Sequence, residues 1–337
     1  MFISLLRDFS LDKYNTFGIK AKADYFFEVK TPEDIKNVIS RRYGSLPRFI
    51  LGNGSNVLFT ENFKGLILKC AIEGIEVLKQ TVDSAYIKVG AGTDFNIFGN
   101  LCEKKRYCGL ENLAGIPGSA GASAVQNIGA YGVQVGDFIS EVEYFDFEDS
   151  QIKTIKGEDC KFGYRTSIFK TDLKNRAFIT FVTYKLNTSF KPVLTYGDIK
   201  EKAAALPYLT PKSLRGLIIE TRNMKIPDYN QFGNAGSFFK NPEISEAQLK
   251  KLQTLIPDIK IWESTDNKYK ISAAKLIEFC GFKGESIGNV GIWQNQPLVL
   301  VNTGNATGKE IVAVADKISA EIKRTTGIEI VPEVCIV

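Results

Sequence analysis

Residues 25–29 (YFFEV) form an aromatic-rich run of strand length, closed by the polar Lys30 and Thr31. Thr31-Pro32-Glu33-Asp34 then opens a helix, with a threonine cap, a proline in the first turn and two acids at the positive end of the dipole. Residues 48–51 (RFIL) and 65–69 (GLILK) read as further strands, and Val57-Leu58-Phe59 as extended chain. Strand-like runs dominate the next part, at 74–79, 86–89, 142–147, 151–155 and 178–186, with one helix expected over 94–105. Between them, residues 115–132 are rich in Gly, Ala and Ser and are expected to form a long loop. A helix over 213–224 stops before Pro227, and the polar stretch 224–234 reads as a boundary. Helices follow over 245–255, 272–280 and 307–324, with strands near Val290 and Leu298. The last helix carries a capping box, Thr307 with Glu310, and the apolar stripe Ile311, Val314, Ala315, Ile318 and Ile322, and Gly327 ends it. Residues 328–337 read as a terminal strand. The pattern predicts an α+β chain with α/β segments, in two or three domains.

Composition narrows the class. The chain has 337 residues, 44% hydrophobic and 24% charged, long enough to bury a core without disulfides. A formal charge of +5, with no arginine-rich arm, argues against a nucleic-acid binder and suits a pocket for an anionic small molecule. The uncharged stretch 112–136 could span a bilayer by length, but its Gly, Asn, Gln and Ser content forbids it, so no membrane insertion is expected. The apolar patch at residues 1–9 has no basic lead-in and no cleavage site, so it is not read as a secretory signal. Six cysteines without a CxxC pair read as reduced, mostly buried thiols of a cytoplasmic protein. No metal site is expected, because histidine is absent and no Cys or acid cluster replaces it.

Two glycine-rich segments carry candidate chemistry. Gly52-Asn53-Gly54-Ser55-Asn56 follows a strand and fits either an Asn-Gly hairpin turn or a nest of backbone N–H groups for an anion. Gly115-Ile116-Pro117-Gly118-Ser119 and Gln126-Asn127-Ile128-Gly129-Ala130-Tyr131-Gly132 let backbone approach a ligand and offer Ser, Gln and Asn as hydrogen-bonding groups. Two such loops point to a large ligand with a pyrophosphate, such as a dinucleotide. Arg165, in KFGYR, fits a carboxylate or phosphate fork or a surface ion pair. Tyr196, beside a turn, can stack on a ligand or pack at a domain edge. Ser237 sits in GNAGSFFKNP, in a chain with no imidazole to make it a nucleophile.

In order along the chain, NTFGI (15–19), LGNGSNVL (51–58), VGAG (89–92), GLENLAGIPG (109–118), QNIGAYG (126–132), FGYRTSIFK (162–170), VLTYGD (193–198), KIPD (225–228), GNAGSFFKNP (233–242) and PEV (332–334) span nearly the whole sequence. This ordered set resembles the UDP-N-acetylenolpyruvoylglucosamine reductases (UDP-N-acetylmuramate dehydrogenases, MurB), in their longer type with a tyrosine loop around Tyr196. The resemblance implies an FAD-binding fold of two α/β domains like the PCMH/VAO-type flavoproteins, holding FAD between them, and a third α/β domain that closes over the substrate. The implied boundaries are 1–70 with 326–337, 71–222, and 223–325.

The same resemblance implies roles residue by residue. Ser237 matches the proton donor, and Arg165 and Glu333 the pair that polarises the enolpyruvyl carboxylate. Tyr164, Tyr196, Lys225 and Asn241 match UDP-sugar contacts. Glu278 is a further substrate ligand beside Phe279, where some relatives carry an amide or acid. The loops 52–56, 115–119 and 126–132 match the cradle of a non-covalent FAD. The partners implied are UDP-N-acetylglucosamine enolpyruvate and NADPH, acting on a monomer. NADPH would reduce the flavin, and the reduced flavin would pass hydride to the enol ether, a step of peptidoglycan precursor synthesis. Glu333 can act ionised or as a neutral donor, and burial beside like charge favours the neutral form. Two other readings remain: a different flavin enzyme of this fold, with a histidyl-linked flavin excluded and a cysteinyl link not, and a nucleotide-binding module without turnover.

Overall fold

The computed structural model describes residues 5–39, 43–263 and 268–337. Residues 1–4 of the apolar N-terminal patch lie outside them. By contacts the chain divides into two units. Unit 1 comprises the chain up to Phe9, Ala23–Asn53 and Lys64–Arg222; unit 2 comprises Ser10–Lys22, Gly54–Phe63 and Asn223–Val337.

Unit 1 joins two sheets through one apolar core. The first has strand order Leu6–Ser10, Lys22–Val29, Phe63–Cys70, Arg48–Leu51. Its last two strands are parallel, with Arg48 opposite Leu66 and Leu51 opposite Lys69. Helix α1 (Pro32–Ile39) buries Ile35 and Val38 in this core. The second sheet is antiparallel, in the order Gln151–Lys156, Ile139–Asp146, Ala177–Asn187, Ser84–Gly90, Ile75–Gln80. Helix α2 (Phe95–Lys105) is capped by Asp94, whose carboxylate accepts from the N–H groups of Asn96 and Ile97, and it buries Phe95, Phe98 and Cys102.

The expected long loop over 115–132 contains a helix, α3 (Ala120–Gln126). Its three alanines are strong helix formers, and Ser119 caps it. Gly121 is needed by packing, since a Cβ there would lie 2.7 Å from the Cβ of Ala91. Helices α4 (Ile199–Ala204) and α5 (Pro211–Lys225) bury Ile199, Ala203, Leu214, Leu217 and Ile218 in a smaller cluster, against which Tyr131 and Leu194 pack.

Unit 2 builds its own core from Phe17, Leu58, Phe238, Phe239 and the inner faces of helices α6 (Glu246–Leu255), α7 (Ala273–Phe279) and α8 (Gly308–Thr326). It carries two three-stranded sheets, ordered Glu243–Ser245, Lys268–Ile271, Ile261–Glu263 and Ser286–Ile287, Val290–Ile292, Leu300–Asn302. Helix α8 has both halves of the Thr307–Glu310 capping box, buries the expected stripe and ends at Gly327 with φ +72°. The terminal strand is shorter than expected. Only Cys335–Ile336 forms a ladder, parallel to Val57–Leu58, because the Glu333 N–H that would continue it donates to the Phe238 carbonyl instead.

Four of the six cysteines are buried, Cys280 is half-buried and Cys335 is exposed. Burial pushes the thiols of Cys70 and Cys108 up to about 11 and that of Cys160 to about 12. Among the described residues no helix is long and apolar enough to cross a membrane, and no cluster of His, Cys, Asp and Glu fits a metal ion.

Candidate active site

The turn Gly52–Asn56 is not a hairpin. The strand before it pairs with Phe63–Cys70, while the strand after it, Val57–Leu58, pairs with Cys335–Ile336. Gly54 has φ +70°, and a Cβ there would collide with the Tyr14 carbonyl, so only glycine fits. In unit 1 the two glycine-rich segments meet. A Cβ on Gly52 would come 3.1 Å from Ser119 Oγ and 3.3 Å from Ala122 Cβ. The Asn53 amide donates to Asp94 Oδ2 at 3.4 Å, and Lys69 Nζ donates to Asn53 Oδ1 at 3.4 Å and to the Cys70 carbonyl at 2.8 Å.

Three asparagines shape the second segment. Asn96 accepts from Gly115 N–H and donates to the Ile116 carbonyl, both at 2.9 Å, fixing the turn where Gly115 has φ +74°. Asn112, buried, donates to the carbonyls of Tyr131 and Val193 at 2.8 and 2.9 Å, tying this segment to the tyrosine loop. Asn127, also buried, donates to the Gly163 carbonyl at 2.8 Å and accepts from Gly136 N–H at 2.8 Å. Its side chain therefore holds the protein together, and what it can offer a ligand is backbone. Ser119 Oγ accepts from the Ala122 N–H as the α3 cap and keeps its O–H as a donor.

Asn127 thereby sets the turn that carries Arg165. Arg165 has φ +55°, a strained setting for a side-chain-bearing residue. Its Nη2 donates to the Gly129 carbonyl at 2.6 Å, and its guanidinium lies 5.4 Å from the Tyr164 ring centre. Lys170 Nζ braces the turn through the Arg165 carbonyl and Gln126 Oε1, both at 3.3 Å. Tyr131 and Tyr196 meet edge to face at 6.0 Å. Burial raises both phenols above their usual range, while Arg165 draws Tyr196 back and Arg222 draws Tyr131 back.

Arg222, on α5, was not singled out by its sequence context. Its side chain would meet a Cβ on Gly115 at 3.5 Å. Loss of hydration and the like charge of Arg165 lower its pKa, with only Tyr131 opposing. Its side chain is half-buried. Two arginines close enough to feel each other's charge suit an anion.

In unit 2, GNAGSFFKNP is held from three sides. Asn234 N–H donates to the Thr16 carbonyl at 3.0 Å, and the buried Asn234 side chain accepts from Gly236 N–H at 2.9 Å and donates to the Phe232 carbonyl at 2.7 Å. A Cβ on Gly233 would press on the Phe17 backbone, so the NTFGI segment packs directly beneath this turn. Ser237 bridges to Val299, Phe238 N–H donates to the Leu298 carbonyl at 2.7 Å, and Glu333 N–H donates to the Phe238 carbonyl at 2.7 Å. Ser237 and Glu333 are thus brought together on adjacent extended segments, with the buried Phe238 and Phe239 rings as anchors. Asn56 adds an amide bond of 3.4 Å to the Glu333 carbonyl.

The remaining candidates of this unit sit around α7 and α5. Asn241 Oδ1 accepts from Ala273 N–H at 3.0 Å, so it helps cap α7 and keeps its amide Nδ2 as donor. Glu278, near the other end of α7, is exposed and paired with Lys283 at 3.1 Å. Lys225 ends α5, half-buried.

Residues 227–337 match the model of the UDP-N-acetylenolpyruvoylglucosamine reductase C-terminal domain, and residues 23–156 that of an FAD binding domain. The chain is 38% identical over 326 residues to the UDP-N-acetylenolpyruvoylglucosamine reductase of Bacteroides fragilis, covering 97% of this chain and 98% of that one. It is 38% identical over 333 residues to the same-named protein of Flavobacterium johnsoniae, covering 98% of each. The crystal structure of UDP-N-acetylenolpyruvylglucosamine reductase (MurB) from Thermus caldophilus superposes with a TM-score of 0.69 at 23% identity, over 100% of this chain and 99% of that one, which bears out the expected flavoprotein fold. At such identity over such length, the chain belongs to the UDP-N-acetylenolpyruvoylglucosamine reductase family, FAD-dependent oxidoreductases of peptidoglycan synthesis.

Proposed function

We propose that this chain reduces UDP-N-acetylglucosamine enolpyruvate to UDP-N-acetylmuramate, with NADPH as electron donor, in the cytoplasm. The observation that supports the reading is the backbone pairing that holds the Ser237 and Glu333 segments next to each other on rigid chain. The small residues of Gly52–Asn56, Gly115–Ser119 and Gln126–Gly132 fit a cradle for FAD, which when bound supplies the hydride chemistry.

The protein's own share is charge, proton and placement. Hydride addition to the terminal carbon of the enol ether leaves negative charge on the neighbouring carbon and its carboxylate. The Arg165 guanidinium, fixed by the Gly129 carbonyl, stabilises that charge, with Arg222 as a second cation. A preorganised donor of this kind contributes about 3–4 kcal/mol, by analogy with oxyanion holes. Ser237 Oγ gives its proton to the charged carbon. A neutral hydroxyl is already in the right form for that task, so no histidine is needed to activate it. Glu333 is the second residue proposed to polarise the substrate carboxylate. Tyr164, Tyr196, Lys225 and the Asn241 amide bind the UDP sugar, and Glu278 exchanges Lys283 for substrate.

Anaerobic stopped-flow tests the reading in two halves. NADPH should bleach the flavin absorbance, and the enolpyruvyl substrate should restore it. NADPH oxidation equally fast without that substrate would sink the proposal.

A further inference from the structure

The three segments that fit the FAD cradle, 52–56, 115–119 and 126–132, contain no charged residue, yet FAD carries a diphosphate. Backbone N–H groups can bind phosphate oxygens, but a buried dianion also calls for positive charge. Lys69 provides it. It lies opposite Leu51 in the parallel pair of strands, at their carboxyl end, just where the chain turns into Gly52-Asn53. That end of parallel strands is where ligands settle in open α/β sheets.

Lys69 Nζ reaches the loop itself, donating to Asn53 Oδ1 at 3.4 Å, and is held by the Cys70 carbonyl at 2.8 Å. Its side chain is half-buried, and no carboxylate among the described residues forms an ion pair with it. Asp94, whose carboxylate is bonded to the loop, is engaged by the first N–H groups of α2 and by the Asn53 amide. Desolvation lowers the Lys69 pKa, against weaker opposing effects of Cys70, Glu28 and Glu73, so the ammonium gains from an anionic neighbour.

We propose that Lys69 is a binding residue for the FAD diphosphate, supplying at loop 52–53 the cation that the glycine-rich cradle lacks. The inference rests on the reading of that loop as part of the FAD site. A lysine that only capped the Cys70 carbonyl would serve the strand end and be indifferent to phosphate.

The test is titration of flavin-stripped protein, followed by flavin fluorescence, with FAD and with riboflavin, which has no phosphate. Lys69→Gln should weaken FAD binding by about tenfold or more, the effect of one charge-assisted hydrogen bond. Riboflavin binding and the melting temperature of the apoprotein should stay unchanged, and Lys69→Arg should restore most of the FAD affinity. Unchanged FAD affinity in Lys69→Gln, or equal loss for FAD and riboflavin, overturns the assignment while leaving the FAD reading intact. Wild-type apoprotein that takes up no FAD overturns that reading and the assignment with it.

Discussion

Glu333 donates its backbone N–H to the carbonyl of Phe238, 2.7 Å away and one residue beyond Ser237. The two segments are short, but Phe239 bridges to Pro332 and Lys240 N–H reaches the Val331 carbonyl at 3.0 Å, so they move as one. The consequence for chemistry is that Ser237 and Glu333 keep their spacing without help from their own side chains. Substituting either side chain should therefore remove a function and not a fold.

Ser237→Ala is expected to leave flavin reduction by NADPH near wild type. Flavin reoxidation by the enolpyruvyl substrate should slow by about 10²-fold or more, the low end for general acid catalysis. Single-turnover absorbance at both stages checks this. Equal loss in the two stages would assign Ser237 a structural role.

Gly129→Ala tests the placement of Arg165. The added Cβ would lie 2.9 Å from Arg165 Nη1 and must push the guanidinium aside. The expected result is a loss of roughly 10²-fold in substrate-dependent turnover, the scale of a displaced oxyanion donor. Arg165→Lys should lose a similar amount, because an ammonium has no fork to bridge the Gly129 carbonyl and a substrate oxygen. Wild-type turnover in both variants would remove Arg165 from the chemistry.

Asn96→Ala removes both bonds that fix Gly115 and Ile116. At about 1 kcal/mol for each bond lost, FAD affinity or melting temperature should fall measurably, and Asn96→Asp should rescue only the bond from Gly115 N–H. Flavin-release assays on the three proteins separate these outcomes.

Asp146 gives a pH signature to unit 1. Its buried carboxylate accepts two bonds from Arg176, at 2.9 and 2.7 Å, and one from Lys153 at 2.8 Å. Chiefly the Arg176 bonds, helped by Lys153 and the Glu148 N–H, hold it well below the usual carboxylate range. With the folded pKa below the unfolded one, the stabilisation is full above about pH 4 and is lost as pH falls through the folded value. Asp146→Asn should lower the melting temperature at pH 7, and the gap to wild type should shrink below about pH 4. A gap that stays constant with pH would show that the ion cluster does not act through charge.

Helix α8 is legible in the sequence because every signal is local: Thr307 and Glu310 at one end, Gly327 at the other and an apolar stripe between. Helix α3 is not, since Gly121 lowers its helical propensity and only its packing on Ala91 explains why glycine stands there. The site divides the same way. Ser237, Arg165 and Glu333 stand in distinctive motifs, but Lys69 and Arg222 look like ordinary surface charges until the fold shows what surrounds them. The bracing roles of Asn96, Asn112 and Asn127 escape for a related reason, although Asn127 stands among the candidate ligand contacts. One short amide can bond backbone groups far away in sequence, and its own neighbours carry no trace of that.

The bond from the Asn56 amide to the Glu333 carbonyl closes a loop of 277 residues, and the neighbouring Thr60 reaches Val337 across the same separation. Loop closure on that scale is costly in chain entropy and slow compared with the local turns that place Ser237. Glu333 should therefore be the last of the three proposed catalytic residues to reach its place during folding. In pulsed hydrogen exchange during refolding, the Cys335 amide, which donates to the Asn56 carbonyl at 3.1 Å, should gain protection after those of α8, so the protein acquires its shape before this end of the chain is tied down.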